Sequence, residues 1–394
     1  MRAHGAALLG ALLITAAVCA TTPLTTSNDG YGFDGAFYAA MAGHPRIKPE
    51  LAHVGPWAYR VAAPAIVKQL PWDTLTNFRV IAFTCSAAGL WLMLLILSQL
   101  GFSQPLCWIG LALYAGVFWA VKFACYTPGY IDAETQLTLL TIIYLTLRGW
   151  WMPLIAAMVI GVLVKESLIA LVVFSAIAFN RTHAGTLRAR NGLVAGALIV
   201  LPLLTLAVVR GLVTTVTEID TGAEIREQLR VLATPPYWAV LLHATFSGLG
   251  LLAIIAALRP RRWIAFAREH YEWIAYVALG IMLLFGGRDK GRLFLYLLPA
   301  VVIAGVFVIE DLQALGRGVP GRLWLGLLLL AHAFIGNYLT PIGSVEQFAA
   351  RLTPEHSDAR HLFYLWQDLG VAAAFLIATW IVMRGAGRPE AVDR

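Results

Sequence analysis

Residues 150–179 read WWMPLIAAMVIGVLVKESLIALVVFSAIAF, an apolar run with Lys165 and Glu166 near its middle. As one helix it would be roughly 45 Å long, well over the hydrocarbon core of roughly 30 Å. One straight crossing, counted from a cytoplasmic Arg2, would also place every later arginine-rich loop on the outer side, against the positive-inside rule. We therefore predict two short limbs that go out and return, with Lys165 and Glu166 near the outer turn. Irregular backbone at this depth indicates a protein-lined or water-filled cavity.

The composition places the whole chain in a bilayer. Of 394 residues, 59% are hydrophobic and 13% are charged, whereas a soluble domain carries about 25% charged residues. The net charge of +7 comes from basic residues in short loops between apolar runs. Such loops set membrane orientation, so we expect the lipid bilayer as a partner and no nucleic acid.

The apolar runs predict the number of membrane-spanning helices. A span needs about 20 apolar residues, and on that basis we predict an all-α, polytopic integral membrane protein with about 11–12 transmembrane segments, one of them split. The chain is interpreted as a single membrane domain over residues 1–394. The candidate spans are 5–22, 78–100, 105–121, 131–148, 150–179, 192–213, 237–258, 271–286, 293–310, 322–340 and 363–384.

Two smaller features were interpreted from the same pattern. The run 5–22 is read as an uncleaved helix rather than a signal peptide, because many further spans follow it. The four cysteines lie in or beside apolar runs without C-x-x-C spacing. This pattern predicts simple packing, and indicates neither a disulfide framework nor a metal site.

The polar segment 23–77 is too long to be a mere connector. Loops of this size are usually functional or disordered, and its aromatic content argues against disorder. Asp34, within FDGAFY, is the candidate catalytic acid, with helix capping as the alternative. Arg60 is a candidate phosphate ligand, because guanidinium groups bind phosphate bidentately; a surface salt bridge is its alternative. His44 is either a turn residue or part of the site.

The predicted topology collects further charged residues on the same outer face. Asp132 and Glu134 follow the loop CYTPGY, and either they cap the next helix or they belong to a site. Lys165 and Glu166 either neutralise one another or contact a phosphate. The segment GGRDKGR, residues 286–292, places three cations where the orientation rule disfavours them, and such charges are usually functional. Glycines beside cations suit phosphate binding; headgroup binding is the alternative.

Three motifs in the first loop carry a family resemblance. In order they are D-G-x-x-Y from Asp34, H-P from His44, and Y-R-x-x-x-P from Tyr59. This set, after a first membrane helix, resembles the bacterial membrane glycosyltransferases of the GT-C superfamily, which use polyprenyl-phosphate sugars. The match covers residues 29–64, and by it 1–191 is interpreted as a GT-C-like module, with a long periplasmic loop over 23–77, and 192–394 as additional helices.

The resemblance implies roles for specific residues. An acid of the first outer loop would be the general base for the acceptor hydroxyl, which maps to Asp34. Basic residues of the outer loops would hold the donor phosphate: Arg60, Lys165, Arg288, Lys290 and Arg292. Supporting or acceptor-binding residues would be Tyr38, His44, Tyr59, Asp132 and Glu166. The second acid common in the family is replaced here by Gly35, which leaves the use of a divalent metal open although the scheme needs no cofactor.

The predicted function is therefore an inverting sugar transfer at the periplasmic face of a bacterial inner membrane. The donor would be a polyprenyl-phosphate-linked sugar, and the acceptor a hydroxyl of a glycan, lipid or protein. One alternative is a transporter or flippase of a lipid-linked sugar, which the scarcity of acids and bases deep in the later spans disfavours. Another is a non-enzymatic envelope assembly protein.

Overall fold

The computed structural model describes residues 2–183, 189–218, 220–231, 234–258, 260–286, 289–315, 319–342, 348, 351–352 and 360–386. Its architecture is all-α, as predicted, with nineteen α-helices in those ranges. The helices are α1 Arg2–Thr21, α2 Gly32–Met41, α3 Ala62–Gln69, α4 Thr74–Gln99, α5 Gln104–Ala115, α6 Phe123–Tyr126, α7 Asp132–Arg148, α8 Trp151–Val164, α9 Leu171–His183, α10 Ala189–Leu212, α11 Thr221–Val231, α12 Pro235–Leu249, α13 Leu252–Leu258, α14 Pro260–Glu269, α15 Glu272–Leu283, α16 Lys290–Leu293, α17 Leu298–Leu315, α18 Val319–Ile335 and α19 Arg360–Ala386.

Several of these helices could cross a membrane. Among the described residues, three are long and apolar enough, in α4, α10 and α19, and the number reaches five if each of two bent pairs is one span. Four shorter apolar helices of 10–17 residues accompany them. The all-α prediction is thus confirmed, whereas the count of 11–12 spans stays a prediction.

The break in the run 150–179 is confirmed. Helix α8 ends at Val164, because Lys165 has extended backbone (φ −157°, ψ 122°). A short 3-10 turn leads from there into α9. The Trp151 ring, at the start of α8, lies 4.9 Å from Phe179 and 5.7 Å from His183, near the end of α9. The two limbs therefore go out and return, with Lys165 at the turn.

A second run, 237–258, was predicted as one span, and that prediction is wrong in shape. The chain bends by 90° between α12 and α13. Gly250 occupies the bend with φ +57°, a region that side chains disfavour, and a Cβ there would overlap the His332 ring. The His332 Nδ1 accepts a hydrogen bond from the Leu251 N–H at 3.2 Å. A buried histidine thus accepts a hydrogen bond from a backbone N–H that the break in the helix leaves without a helical partner.

The long first loop has a core of its own, as expected for a segment that is not disordered. Tyr31, Tyr38 and Phe78 are at most 1% exposed and belong to one apolar cluster with parts of α3 and α4. A two-residue parallel strand pair joins Val54–Gly55 to Thr217–Glu218. The loop is therefore a compact layer packed over the ends of the long helices.

The cysteine interpretation needs correction. Cys19, near the end of α1, forms a disulfide with Cys125 in α6, across a sequence separation of 106 residues. A backbone hydrogen bond of 2.9 Å from Thr25 N to Tyr126 O lies beside it. Spacing in the sequence gave no sign of this pairing, because only the packing of α1 against the loop before α7 brings the two thiols together. Cys85 and Cys107 are free.

Candidate active site

Arg292 is the centre of a group of charged side chains from separate parts of the chain. Its Nη1 donates to Asp34 Oδ2 at 2.9 Å, across 258 residues. Its Nε lies 3.8 Å from Asp132 Oδ1 and 3.8 Å from Asp289 Oδ2. Asp289 also caps α16 by accepting the Arg292 N–H at 3.4 Å. Three carboxylates therefore converge on one guanidinium.

Asp34 faces this guanidinium from the first turn of α2. The residue at the N-cap position is Tyr31, which makes no side-chain cap, so the capping alternative for Asp34 is wrong. The backbone N–H of Asp34 donates instead to the Tyr130 hydroxyl at 3.1 Å. Arg292 lies over the same tyrosine ring, 5.3 Å from its centroid. Tyr130 therefore positions both members of the pair.

Gly35 lets the α2 helix approach the loop that carries Tyr130. A Cβ at Gly35 would lie 3.1–3.3 Å from the backbone of Gly129, closer than packing normally allows. Gly129 in turn packs on the Tyr31 backbone. The glycines thus set the distance between Asp34 and the loop before α7, rather than supplying flexibility.

Arg60 forms a second part of the group. Its Nε and Nη2 donate to both carboxylate oxygens of Glu166, at 2.8 and 2.6 Å, a bidentate pair. Its Nη1 donates to the Tyr38 hydroxyl at 2.8 Å. Tyr38 lies one helical turn after Asp34 in α2, on the same face. The first loop and the turn of the split helix are therefore joined by a buried guanidinium.

Lys165 supplies the third cation. Its Nζ lies 3.4 Å from Asp132 Oδ1 and 5.6 Å from the centroid of the Tyr296 ring. The Tyr296 hydroxyl is hydrogen-bonded to Ser167 at 2.5 Å. Since Asp132 Oδ1 also lies near Arg292, it links Lys165 to the group around Arg292.

We call this network the charged cluster. Five members are joined by ion pairs: Asp34, Asp132, Lys165, Asp289 and Arg292. The other two are the pair Arg60–Glu166, which adjoins them because Tyr38 shares a helix with Asp34 and Glu166 follows Lys165 in the chain. The described part holds three cations and four carboxylates, so each cation already has a carboxylate partner. The sequence predicted a cation-rich phosphate pocket, whereas the described cluster contains more carboxylates than cations. A phosphate could bind there only by taking a cation from its carboxylate.

The surroundings shift several pKa values. Burial lowers the pKa of Arg60, but Tyr38 and Glu166 outweigh burial and hold that pKa above its ordinary value. Burial raises the pKa of Tyr38 beyond its usual range, so the phenol stays protonated. Burial also raises the pKa of Asp289 to about 6, although Arg292 opposes the shift. Asp289 is thus the member of the cluster whose charge changes close to neutral pH.

Not every predicted site residue joins the cluster. His44 packs edge-on to Tyr31, with ring centroids 5.1 Å apart, and accepts the Arg46 N–H. Tyr59 hydrogen-bonds Glu218. Lys290 donates to the Leu284 carbonyl at 2.5 Å. The predicted site role of these three residues gains no support from their contacts, and Arg288 lies outside the described residues.

Sequence reasoning missed other groups at the site. Tyr130 was overlooked, although a P-G turn just before Asp132 marks a loop able to aim a side chain back at the cluster. Glu134, for which the sequence leaves helix capping and a site role both open, is buried, and neither carboxylate oxygen has a hydrogen-bond partner among the described residues. Such a group is most stable as a neutral acid.

Across the described ranges, no three His, Cys, Asp or Glu side chains are arranged to hold a metal ion. What the cluster offers chemically is a partly exposed carboxylate beside exchangeable cations: the Asp34 and Arg292 side chains are 20% and 17% exposed. Comparison of the chain with protein-family models and with curated proteins finds no match.

Proposed function

We propose that this chain is a membrane glycosyltransferase of the GT-C type, which moves a sugar from a polyprenyl-phosphate donor to an acceptor hydroxyl with inversion. The observation that carries the proposal is the pair Asp34–Arg292, held at 2.9 Å between the first loop and a segment 258 residues later. An acid and a cation side by side, both partly open, match the two tasks of this reaction. One group takes a proton and the other stabilises a leaving phosphate.

Donor binding would activate the base. When the donor phosphate binds Arg292, the guanidinium shifts its hydrogen bond from Asp34 to phosphate oxygens, since a guanidinium binds carboxylates and phosphates alike. The Asp34 carboxylate then loses its cation and becomes free to accept a proton. The cation thus couples the arrival of the donor to the readiness of the base.

The transfer step follows from this arrangement. The acceptor oxygen attacks the anomeric carbon as the bond from that carbon to the phosphate oxygen breaks. The bonding electrons leave with the phosphate, and the hydroxyl proton goes to Asp34. Arg292 and Lys165 stabilise the developing phosphate charge. The pair Arg60–Glu166 fixes the α2 helix against the turn of the split helix, and no step requires a cofactor or metal.

The disulfide supports placing this chemistry outside the cytoplasm. Cys125 lies in α6, directly before the loop that carries Tyr130 and leads into Asp132, so the bond and the cluster share one face. Disulfides persist in oxidising compartments such as the bacterial periplasm. This agrees with the orientation from basic loops and with a multi-pass protein of the inner membrane. A lipid-linked donor suits that face, where nucleotide sugars are absent.

The test uses purified full-length protein with polyprenyl-phosphate sugars and a panel of glycan, lipid and peptide acceptors. Asp34→Asn should lower transfer by about 10²–10⁴-fold, the usual contribution of a general base. Its affinity for the donor should be kept or increased, because the carboxylate that competes for Arg292 loses its charge. Glu50→Gln, an exposed acid of the same loop, is the matched control. Undiminished transfer by Asp34→Asn would exclude Asp34 as the base.

A second candidate, a proton-linked transporter or flippase of the same lipid, gains one specific observation. His243 Nδ1 lies 3.2 Å from Asp368 Oδ2 and its Nε2 lies 2.7 Å from the Arg351 carbonyl, with His243 and Asp368 fully buried. This is a buried pair of ionisable side chains between α12 and α19, and such pairs in membrane-spanning helices often belong to proton relays of transporters. This pair is an exception to the expected scarcity of acids and bases deep in the later spans. Release of labelled lipid from proteoliposomes without sugar transfer would favour this candidate.

A further inference from the structure

A crevice of about 320 Å³ lies beside the disulfide, separate from the charged cluster. Its walls come from the end of α1, the first turns of α4 and the short α6. Most of the lining is apolar, and no member of the cluster takes part in it. The lining residues are Cys19, Thr22, Leu24, Thr76, Arg79, Val80, Ala82, Phe83, Ala124 and Cys125.

Arg79 is the one cation of this lining. It is exposed, and it has no hydrogen-bond, ion-pair or ring partner among the described residues. It also sits within α4, whose apolar stretch is one of those able to cross a membrane. An ionisable side chain in such a helix is costly and normally has a partner. For Arg79 the described residues supply no such partner.

Position along α4 shows where that partner would sit. Trp72, just before the helix, is 55% exposed, as befits an aromatic residue at a membrane interface. Arg79 follows six residues after the capping Asp73, so its Cα lies roughly 9 Å below the helix start. A long arginine side chain reaches back from such a depth toward the headgroups. The apolar wall of Val80 and Phe83 continues inward from it.

We propose that this crevice binds an anionic phospholipid of the leaflet on the cluster side. The lipid phosphate pairs with Arg79, and an acyl chain lies along the apolar wall formed by Val80, Phe83 and Leu24. The cation is complementary to an anionic lipid headgroup, and the apolar groove below it is complementary to an acyl chain. A free phosphate or a neutral hydrocarbon would match only one of the two. The inference rests on the membrane placement of the chain and not on the transfer reaction.

The test is native mass spectrometry of the detergent-purified full chain with phosphatidylglycerol, phosphatidylcholine and glycerol phosphate. The wild type should retain phosphatidylglycerol in preference to phosphatidylcholine. Arg79→Gln should weaken that retention about five-fold, the effect of one arginine near a membrane surface. Val80→Trp keeps the charge but fills the groove, and should weaken it as well. Lys68→Gln removes an exposed cation near the same face that does not line the crevice, and should leave retention unchanged.

Three results would overturn the inference. Equal loss in Lys68→Gln and Arg79→Gln would mean that only overall charge matters. Competition by glycerol phosphate at the concentration where lipid binds would mean an ion site without a chain. Full retention in Arg79→Gln would mean that no phosphate meets this residue. Because no sugar donor is present, failure here is distinct from failure of the proposed transferase.

Discussion

The charged cluster and the buried site at His243 both gather polar groups from distant segments, yet they differ in access. Asp34 and Arg292 are 20% and 17% exposed, whereas His243 and Asp368 are fully buried. The first pair is open to solvent, whereas the second is closed to it. Under the proposed function the first pair would exchange its partners when the donor phosphate binds, and the second would not contact the donor.

The largest effect is expected at Arg292, the cation of the partly exposed pair. Arg292→Gln removes the cation that Asp34, Asp132 and Asp289 share, so we expect transfer to fall about 10²–10³-fold, as when a preorganised charge stabiliser is lost. Loss of a largely buried pair should also lower the free energy of unfolding by about 3–5 kcal/mol. Initial-rate kinetics and thermal unfolding measure the two effects.

The matched control for that variant is Arg262→Gln. Arg262 also pairs with two acids, Glu310 and Asp311, but lies outside the cluster and is 41% exposed. It should leave the transfer rate unchanged. A similar fall in both variants would show that arginine pairs act only on stability.

Gly35 tests the geometry of the cluster without changing its charge. In Gly35→Ala the new Cβ meets the Gly129 backbone at 3.1–3.3 Å, so the loop that carries Tyr130 must move by a few tenths of an ångström. Because catalysis depends steeply on placement, transfer should fall about tenfold. Gly326→Ala, where a Cβ meets nothing within 4 Å, is the control, and an unaffected rate in Gly35→Ala would mean that the close approach is not needed.

Protonation of Asp289 should make the affinity for the donor depend on pH. Its pKa is raised from 3.8 to about 6 by burial, so below pH 6 the carboxyl is neutral and Arg292 has one fewer acid to compete for it. Donor affinity should therefore rise a few-fold from pH 7 to pH 5. Titration calorimetry of Asp289→Asn should show the tighter affinity at both values, while Glu50→Gln should keep the wild-type pH dependence.

The raised pKa of Asp289 also predicts the direction in which the stability of the protein changes with pH. Folding favours the protonated form of Asp289, so its contribution to the free energy of unfolding is largest at low pH and is lost as pH rises from 3.8 toward 6. Asp289→Asn should remove this loss. A wild type that gains stability over that interval relative to Asp289→Asn would contradict the assignment.

The smallest effect on transfer is expected at the buried site. Asp368→Ala leaves the buried His243 Nδ1 without its polar neighbour, which should lower the free energy of unfolding by about 1–3 kcal/mol. The transfer rate of folded protein should not change. Asp368→Asn, whose amide can still donate to the ring, should restore part of the stability. A loss of transfer in Asp368→Ala would join the two regions into one mechanism and favour the transport alternative.

Some of the site was predictable from residue pattern. The long first loop pointed to Asp34 and Arg60, and the basic-loop count placed Lys165 and Glu166 at a turn, which the contact of Trp151 with Phe179 confirms. The turn at Lys165 was predictable because hydrophobic length and charge sidedness act on each segment separately, whereas the site roles of Asp34 and Arg60 stay predictions. Contacts between distant segments cannot be derived in this way. The sequence therefore did not reveal which residue pairs with each charge, or that Tyr59 contacts Glu218 and Lys290 the Leu284 carbonyl.

By itself the sequence determined the all-α character, the apolar helices and the break at Lys165, since bilayer thickness and the cost of buried charge apply to local stretches. Tertiary structure alone decided that Arg292 meets Asp34, that Cys19 meets Cys125, and that α12 bends at Gly250 around His332. Each of these depends on the packing of segments far apart in the chain. Their closeness in space depends on how side chains pack between many helices, and a local sequence pattern does not contain that information.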